Sequence, residues 1–366
     1  MIFWIEDGLE ITYNQLINDI KNKDSSFELT GYNYFLFLLI NLINKNHIKS
    51  INDAINYIIK EKETLNFHIQ TSGTTSKPKP IQVKMSNCIR YVKINTNENK
   101  KIWAMGYPVG SYASTQVFFQ AFINKETIIY IFGIEFNLSD KLFSKYNITN
   151  LSCTPTFLSM LLINLNNKFS SVKKITTGGE KMNNTLINSY KKKFISAEYI
   201  NIYASTETGS LLYSKSDIFS IPDKYKTKIK VKNGTLRVHK SLLNGENEIN
   251  GDWYDTNDLV EYIDNTKFKF ISRSNGYLNT GGFRISPSEI EKNILSIKGV
   301  VDVHIYGRPN SLLGTIVCAD IIGNKISIKT IKEEMTKITD KHKIPQIIRI
   351  VKSFEHISNG KKKLMI

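Results

Sequence analysis

Thr71-Ser72-Gly73-Thr74-Thr75-Ser76-Lys77-Pro78-Lys79 runs from hydroxyls and small residues into two lysines around a proline. It follows Leu65-Asn66-Phe67-His68-Ile69-Gln70, whose apolar alternation predicts a strand. It precedes Ile81-Gln82-Val83-Lys84-Met85, which predicts a second strand. Hydroxyls and unhindered backbone N–H groups suit a loop that wraps a triphosphate, and lysine adds a mobile point charge. The strand–loop–strand setting excludes a Walker P-loop, which carries Gly-Lys-Ser/Thr and opens a helix. Taken alone, the segment also reads as an ordinary polar turn.

The 366 residues suffice for one large core or two domains. A formal net charge of +16 fits an anionic partner such as a nucleotide, CoA or an acidic protein. It fits equally a chain whose Lys, Ile and Asn abundance reflects A/T-biased codons. Cys88, Cys153 and Cys318 are far apart and odd in number, so no metal spacing or disulfide framework arises, and a reducing cytoplasm is the expected compartment. The start, Met1 to Asp7, lacks a signal peptide's basic flank. The apolar run Tyr34 to Ile43 is too short to span a bilayer and predicts a buried helix, so no membrane partner is expected. A nucleic-acid role would rest on charge alone, without an aromatic–basic platform.

Thr12 is a plausible N-cap for a first helix, and Tyr32 to Lys60 reads as helical. From Leu65 to Ser205, short apolar runs (127–132, 150–154, 199–203) alternate with helical patterns, which predicts an α/β fold with a largely parallel sheet. After Ile218 the chain turns β-rich, and from Gly276 it reads as a small α+β unit with helices near Ser288–Leu295 and Ile328–Thr339. The polar turn Arg273-Ser274-Asn275-Gly276 is the expected boundary between a large domain, 1–272, and a small mobile domain, 273–366.

Further clusters follow the hydroxyl loop in order: Thr176-Thr177-Gly178-Gly179-Glu180, Tyr203-Ala204-Ser205-Thr206-Glu207-Thr208-Gly209, Asp252 to Leu259, and Arg273 to Glu291 with Gly281-Gly282-Phe283-Arg284-Ile285-Ser286-Pro287. Ser358-Asn359-Gly360-Lys361 lies near the end. In order and spacing these resemble the adenylate-forming superfamily of acyl-CoA synthetases, nonribosomal adenylation domains and firefly-luciferase-like enzymes, over nearly the whole chain. The short form is similar to o-succinylbenzoate–CoA ligase-like proteins, with a reduced N-terminal subdomain before the phosphate loop.

The resemblance implies a ligase that activates a small carboxylic acid by attack on the α-phosphate of ATP, then passes the acyl group to the thiol of CoA or of phosphopantetheine on an acidic acyl or peptidyl carrier protein. Attacking and departing groups are both anionic, so catalysis is mainly positioning and charge neutralisation. By resemblance, Thr71, Ser72, Gly73, Thr74 and Thr75 bind the β- and γ-phosphates and Lys79 adds charge. Tyr203 stacks on adenine, Thr206 contacts the α-phosphate and Glu207 holds Mg2+, with Ala204 and Ser205 beside them. Gly178, Gly179 and Glu180 flank adenine and the acyl pocket. Asp258 accepts the ribose hydroxyls, and Arg273 reaches ribose or phosphate. Lys361 bridges α-phosphate and carboxylate during adenylation. The small domain then rotates at 273–276, and Gly281 and Gly282 enter to guide the pantetheine thiol.

The chain departs from the pattern at Ser76 (usually glycine), at Asn257 in Thr256-Asn257-Asp258, and at the hinge residue Asn275. Asparagine tolerates the left-handed conformation, so Asn257 is a mild change. The stretch Met105 to Ser114 contains no acid, whereas a buried substrate ammonium needs a partner; this favours an acid without an α-amino group. Tyr107, Tyr112, Phe118 and Phe119 would line its pocket, or equally form an ordinary core helix. From Gly276 to Ile366 there are 15 Lys+Arg and 8 Asp+Glu, net +7 (15 − 8), which would steer in a carrier protein or CoA alike. Two alternatives stand beside the leading expectation: a stand-alone amino- or hydroxy-acid adenylation enzyme loading a carrier protein, and a degenerate nucleotide-binding homologue.

Overall fold

The structure, a computed structural model, describes residues 1–22, 31–43, 48–71, 79–95, 99–180, 184–245, 251–264, 266–273, 278–280, 283–310, 314–352 and 354. Its main sheet has eight strands in the spatial order Gly209–Ser214, Glu198–Ser205, Lys174–Gly178, Asn150–Cys153, Ile102–Gly106, Thr127–Tyr130, Ile2–Glu6 and Leu9–Thr12. The six from Glu198–Ser205 to Ile2–Glu6 are parallel to one another, and the two outer strands run antiparallel to their neighbours. The inner strands are short and buried on both faces, as parallel strands under helices must be.

Ile2–Glu6 is a strand that apolar alternation does not reveal, because Ile2-Phe3-Trp4-Ile5 is a continuous apolar run. Its last residue does a second job. Glu6 accepts from Gly31 N and Tyr32 N, both at 3.1 Å, at the start of helix Gly31–Leu42. The expected N-cap is present too: Gln15 N donates to Thr12 Oγ1 at 3.2 Å, and Thr12 N donates to Gln15 Oε1 at 2.8 Å, before helix Tyr13–Asn22. The expected helical region resolves into Gly31–Leu42 and Ile51–Lys60, the second opened by a Ser50–Asp53 capping box.

Helix Tyr112–Ile123 buries Phe118 and Phe119 completely, with Phe118 stacked on Phe35 at a 4.3 Å centroid separation. These two phenylalanines therefore form the core that joins the N-terminal helices to the sheet. Ser111 caps the same helix by accepting from Ser114 N at 3.1 Å.

The two strands around the hydroxyl loop, Asn66–Thr71 and Lys79–Lys84, form an antiparallel pair whose register sets Thr71 opposite Lys79. Residues 72–78 lie outside the described residues. A five-stranded antiparallel sheet follows, ordered Ile218–Ser220, Lys267–Arg273, Trp253–Tyr262, Thr235–His239, Ile229–Lys232. The C-terminal unit is α+β. Helices Pro287–Leu295 and Ile328–Ile338 accompany a sheet built on the long hairpin Val300–Asn310 and Gly314–Gly323, and Ile290, Ile294, Ile331 and Met335 are buried with the strand residues Val303, Ile305 and Val317. The large α/β part and the small C-terminal α+β part are those expected from the sequence.

Candidate active site

Most of the described candidate residues gather where the parallel strands end. In such sheets ligands bind at the carboxyl ends of the strands, beside the point where strand order reverses. Here the order reverses at Ile102–Gly106, which has Thr127–Tyr130 on one side and Asn150–Cys153 on the other. Gly178 closes strand Lys174–Gly178 in register with Ile202. A Cβ on Gly178 would lie 3.1 Å from Ile202 O, so the backbone here leaves little room for a side chain. Gly179 follows with φ +85°, a left-handed turn that releases Glu180 from the sheet.

Glu180 then crosses to the neighbouring strand end. Its Oε2 accepts from Thr156 N at 2.9 Å, within the first turn of helix Pro155–Asn164. That helix also has Pro155 in its first turn and Thr154 as N-cap, accepting from Phe157 N at 3.1 Å. A carboxylate at a helix N-terminus satisfies an orphan N–H and meets the positive end of the dipole. The Cys153 thiol is pushed up by burial, with the Glu180 charge adding to the shift.

Strand Glu198–Ser205 delivers the next cluster. Ser205 Oγ accepts from Thr208 N at 3.2 Å, closing the turn through Thr206 and Glu207, and Gly209 leaves it at φ +66°. Asn244, fully buried, braces this turn: its backbone N donates to Glu207 O at 2.6 Å and its Nδ2 donates to Thr206 O at 2.8 Å. The Thr206 hydroxyl and the Glu207 carboxylate are half-buried and have no partner among the described residues. A carboxylate fixed through its backbone and free at its oxygens can hold a hard cation that takes its other ligands from phosphates and water.

Tyr203 and Asp258 meet across two sheets. The tyrosine hydroxyl donates to Asp258 Oδ2 at 2.7 Å, and the residues are 8% and 3% exposed. Asp258 sits beside the Asn257 bend, which takes φ +58°, the left-handed conformation that asparagine tolerates. Thr256 Oγ1 accepts from Asp258 N at 3.2 Å and donates to Leu236 O at 2.8 Å, so the bend is fixed from both sides. Arg273 is in backbone register with Asp258 across the strand pair.

Tyr107 and Tyr112 are both buried. Tyr107 donates to Cys153 O at 2.7 Å and Tyr112 to Asn87 O at 3.3 Å. Burial holds both phenols well above their usual value. Ser72, Gly73, Thr74, Thr75, Gly281, Gly282 and Lys361 lie outside the described residues. Thr71 and Lys79 are paired in backbone register at the loop end of their two strands.

Three relationships escape the sequence: the Tyr203–Asp258 hydrogen bond, the Glu180 cap and the Asn244 brace. Each joins residues far apart in the chain. The only local signal is the Thr154-Pro155 pair, which predicts a helix start and hence an N-terminus open to a carboxylate.

Similarity to known proteins agrees with this geometry. The AMP-binding enzyme family matches residues 41–237, and its C-terminal domain matches residues 289–361. A Staphylococcus haemolyticus protein provisionally named a long chain fatty acid-CoA ligase, VraA, is 24% identical over 227 residues, 58% of this chain and 49% of its own length. The chain thus spans about half the length of that relative. The 2-succinylbenzoate–CoA ligase of Staphylococcus epidermidis RP62A is 24% identical over 389 aligned residues, covering 96% of this chain and 79% of that protein. In fold, the o-succinylbenzoate CoA synthetase of Bacillus subtilis, solved with the acyl-adenylate intermediate OSB-AMP, superposes with a TM-score of 0.66 at 15% identity, covering 99% of this chain and 94% of that one. With more than half of its residues matched by the AMP-binding enzyme model, and most of its C-terminal part by the model of that family's C-terminal domain, this chain belongs to the AMP-binding enzyme family.

Proposed function

We propose that this protein activates a small carboxylic acid with ATP and transfers the acyl group to a pantetheine thiol. The observation that carries the proposal is the Thr206–Glu207 turn, whose polar side chains are left free beside the buried Tyr203–Asp258 pair. In this reading a substrate carboxylate oxygen attacks the α-phosphorus of ATP and pyrophosphate leaves with the electron pair of the broken P–O bond. The thiol then attacks the acyl carbon of the acyl-adenylate, and AMP departs. Thr206 orients the α-phosphate. Tyr203 presents its ring to adenine while its hydroxyl holds Asp258, whose carboxylate accepts from the ribose hydroxyls. Lys79 and the loop from Thr71 hold the outer phosphates, Arg273 reaches ribose or phosphate, and Lys361 bridges α-phosphate and substrate carboxylate. Glu207 is the residue that would hold Mg2+, which neutralises phosphate charge when bound.

Gly178, Gly179 and Glu180 form the wall between adenine and the acid, with Ala204 and Ser205 beside the nucleotide. The acid-free stretch 105–114 and the committed hydroxyls of Tyr107 and Tyr112 favour an acid without an ammonium group. The acceptor is CoA or a carrier-protein pantetheine. The net +7 of the segment from Gly276 onward favours an anionic acceptor, which Gly281 and Gly282 receive after rotation at 273–276. Three free, buried cysteines suit a reducing cytoplasm. Among the described residues no helix is long and apolar enough to cross a membrane.

The test is incubation with ATP, Mg2+, CoA and a panel of aryl, fatty, hydroxy and amino acids, with products separated by mass. AMP together with an acyl-CoA from one class supports the proposal and names the acid. Acid-dependent ADP in place of AMP contradicts it. AMP without acyl-CoA, followed by acylation of an added carrier protein, assigns the acceptor to the carrier.

A further inference from the structure

Asn244 lies outside the sequence clusters that mark the site, yet three of its polar groups are spent on the parts that surround it. Its backbone N and its Nδ2 hold the carbonyls of Glu207 and Thr206, at 2.6 and 2.8 Å. Its Oδ1 accepts from Asn87 Nδ2 at 2.8 Å. Asn87 is in helix Met85–Cys88, which follows directly on strand Lys79–Lys84, the exit strand of the hydroxyl loop. Asn87 is itself held by Arg90, which donates to its Oδ1, and its carbonyl accepts from Tyr112. The next residue, Gly245, takes φ +64°, and a Cβ there would lie 3.1 Å from Gln82 O on the same strand. Asn244 and Gly245 therefore form a wedge with one side on the loop's exit strand and helix and the other on the Thr206–Glu207 turn.

We propose that Asn244 is a positioning residue that fixes the Thr206–Glu207 turn relative to strand Lys79–Lys84 and helix Met85–Cys88, so that the Glu207 carboxylate is held in place for a metal–triphosphate. The proposal rests on the reading of Thr206 and Glu207 as nucleotide- and metal-facing residues. A side-chain amide suits the task because it donates to one carbonyl while accepting from a second amide. Alanine removes both contacts and leaves the Thr206 carbonyl without its donor. Aspartate keeps the volume and the bond from Asn87 but sets an acceptor against the Thr206 carbonyl.

The test titrates ATP, with and without Mg2+, onto the full chain as wild type, Asn244→Ala, Asn244→Asp, Asn87→Ala and Glu207→Gln, with thermal unfolding of each. The expected result is MgATP binding weakened on the order of tenfold in both Asn244 variants, with metal-free ATP changed by less than about threefold. Asn87→Ala, which leaves the Thr206 and Glu207 contacts in place, should show a smaller loss of the same kind. Asn244→Ala combined with Glu207→Gln should bind no more weakly than Glu207→Gln alone, because both act through one carboxylate. A lower melting temperature with unchanged MgATP affinity would reduce Asn244 to a structural role and overturn the proposal. If Glu207→Gln itself binds MgATP as the wild type does, the functional reading of the turn falls first and the positioning role with it.

Discussion

The hydroxyl of Tyr203 donates to Asp258 Oδ2 at 2.7 Å, linking residues 55 positions apart and 8% and 3% exposed. The bond joins the main sheet to the five-stranded sheet at the point where the proposed adenine and ribose contacts meet. Tyr203→Phe keeps the ring and removes the link. The expected outcome is a KM for ATP raised about three- to tenfold with kcat changed less than about threefold, the effect of losing one hydrogen bond of ordinary net strength. Steady-state kinetics with saturating acid check it, and an unchanged KM would place the link outside nucleotide binding.

Glu180 is bound to helix Pro155–Asn164 through Thr156 N. Glu180→Ala is expected to destabilise the protein by about 1 kcal/mol, from the lost cap and the lost dipole interaction. Glu180→Gln should recover roughly half of this, since a neutral amide oxygen still accepts. Urea midpoints at constant slope measure both, and equal stability in all three proteins would show that the cap contributes nothing.

Gly209 lies under the Tyr112 hydroxyl. A Cβ there would be 2.6 Å from Tyr112 Oη, at φ +66°. Gly209→Ala combines a steric clash with left-handed strain and is expected to cost about 2 kcal/mol. Adding Tyr112→Phe removes the clashing oxygen but not the strain, so the double variant should regain part of the loss. A double-mutant cycle in denaturant decides between clash and strain: strict additivity would leave backbone conformation as the whole effect.

Tyr13, Tyr107 and Tyr112 are all raised above the ordinary phenol value of 10.0, chiefly by burial. Above pH 10 the unfolded chain releases these protons while the folded protein keeps them, so unfolding releases protons. Their contribution to stability is full below pH 10 and is lost as pH rises from there through the folded values. The expected loss is about 1.4 kcal/mol per pH unit for each such tyrosine. Denaturant midpoints above that pH, compared with Tyr107→Phe, check the slope; the variant should show one tyrosine's share less.

Local physics made part of this legible. Thr12 read as a helix start, and Asn257 as a residue able to take the left-handed conformation it adopts at φ +58°, because each depends on residues a few positions away. The hairpin around the hydroxyl loop followed from apolar alternation. Ile2–Glu6 did not, because a strand buried on both faces has no alternation to read. Asn244, Glu180 and the Tyr203–Asp258 link were hidden for another reason. Their partners are 24 to 157 positions away, and only the finished topology brings them together.

Exchange of labelled pyrophosphate into ATP tests the adenylation reading most directly. Wild type and Lys361→Ala would be assayed over the acid panel with Mg2+ present. The account predicts exchange that depends on one class of acid and falls at least about a hundredfold in the variant, the scale of losing a charge aimed at the transition state. Measurable ATP binding with no exchange from any acid, or exchange unchanged by Lys361→Ala, would contradict it.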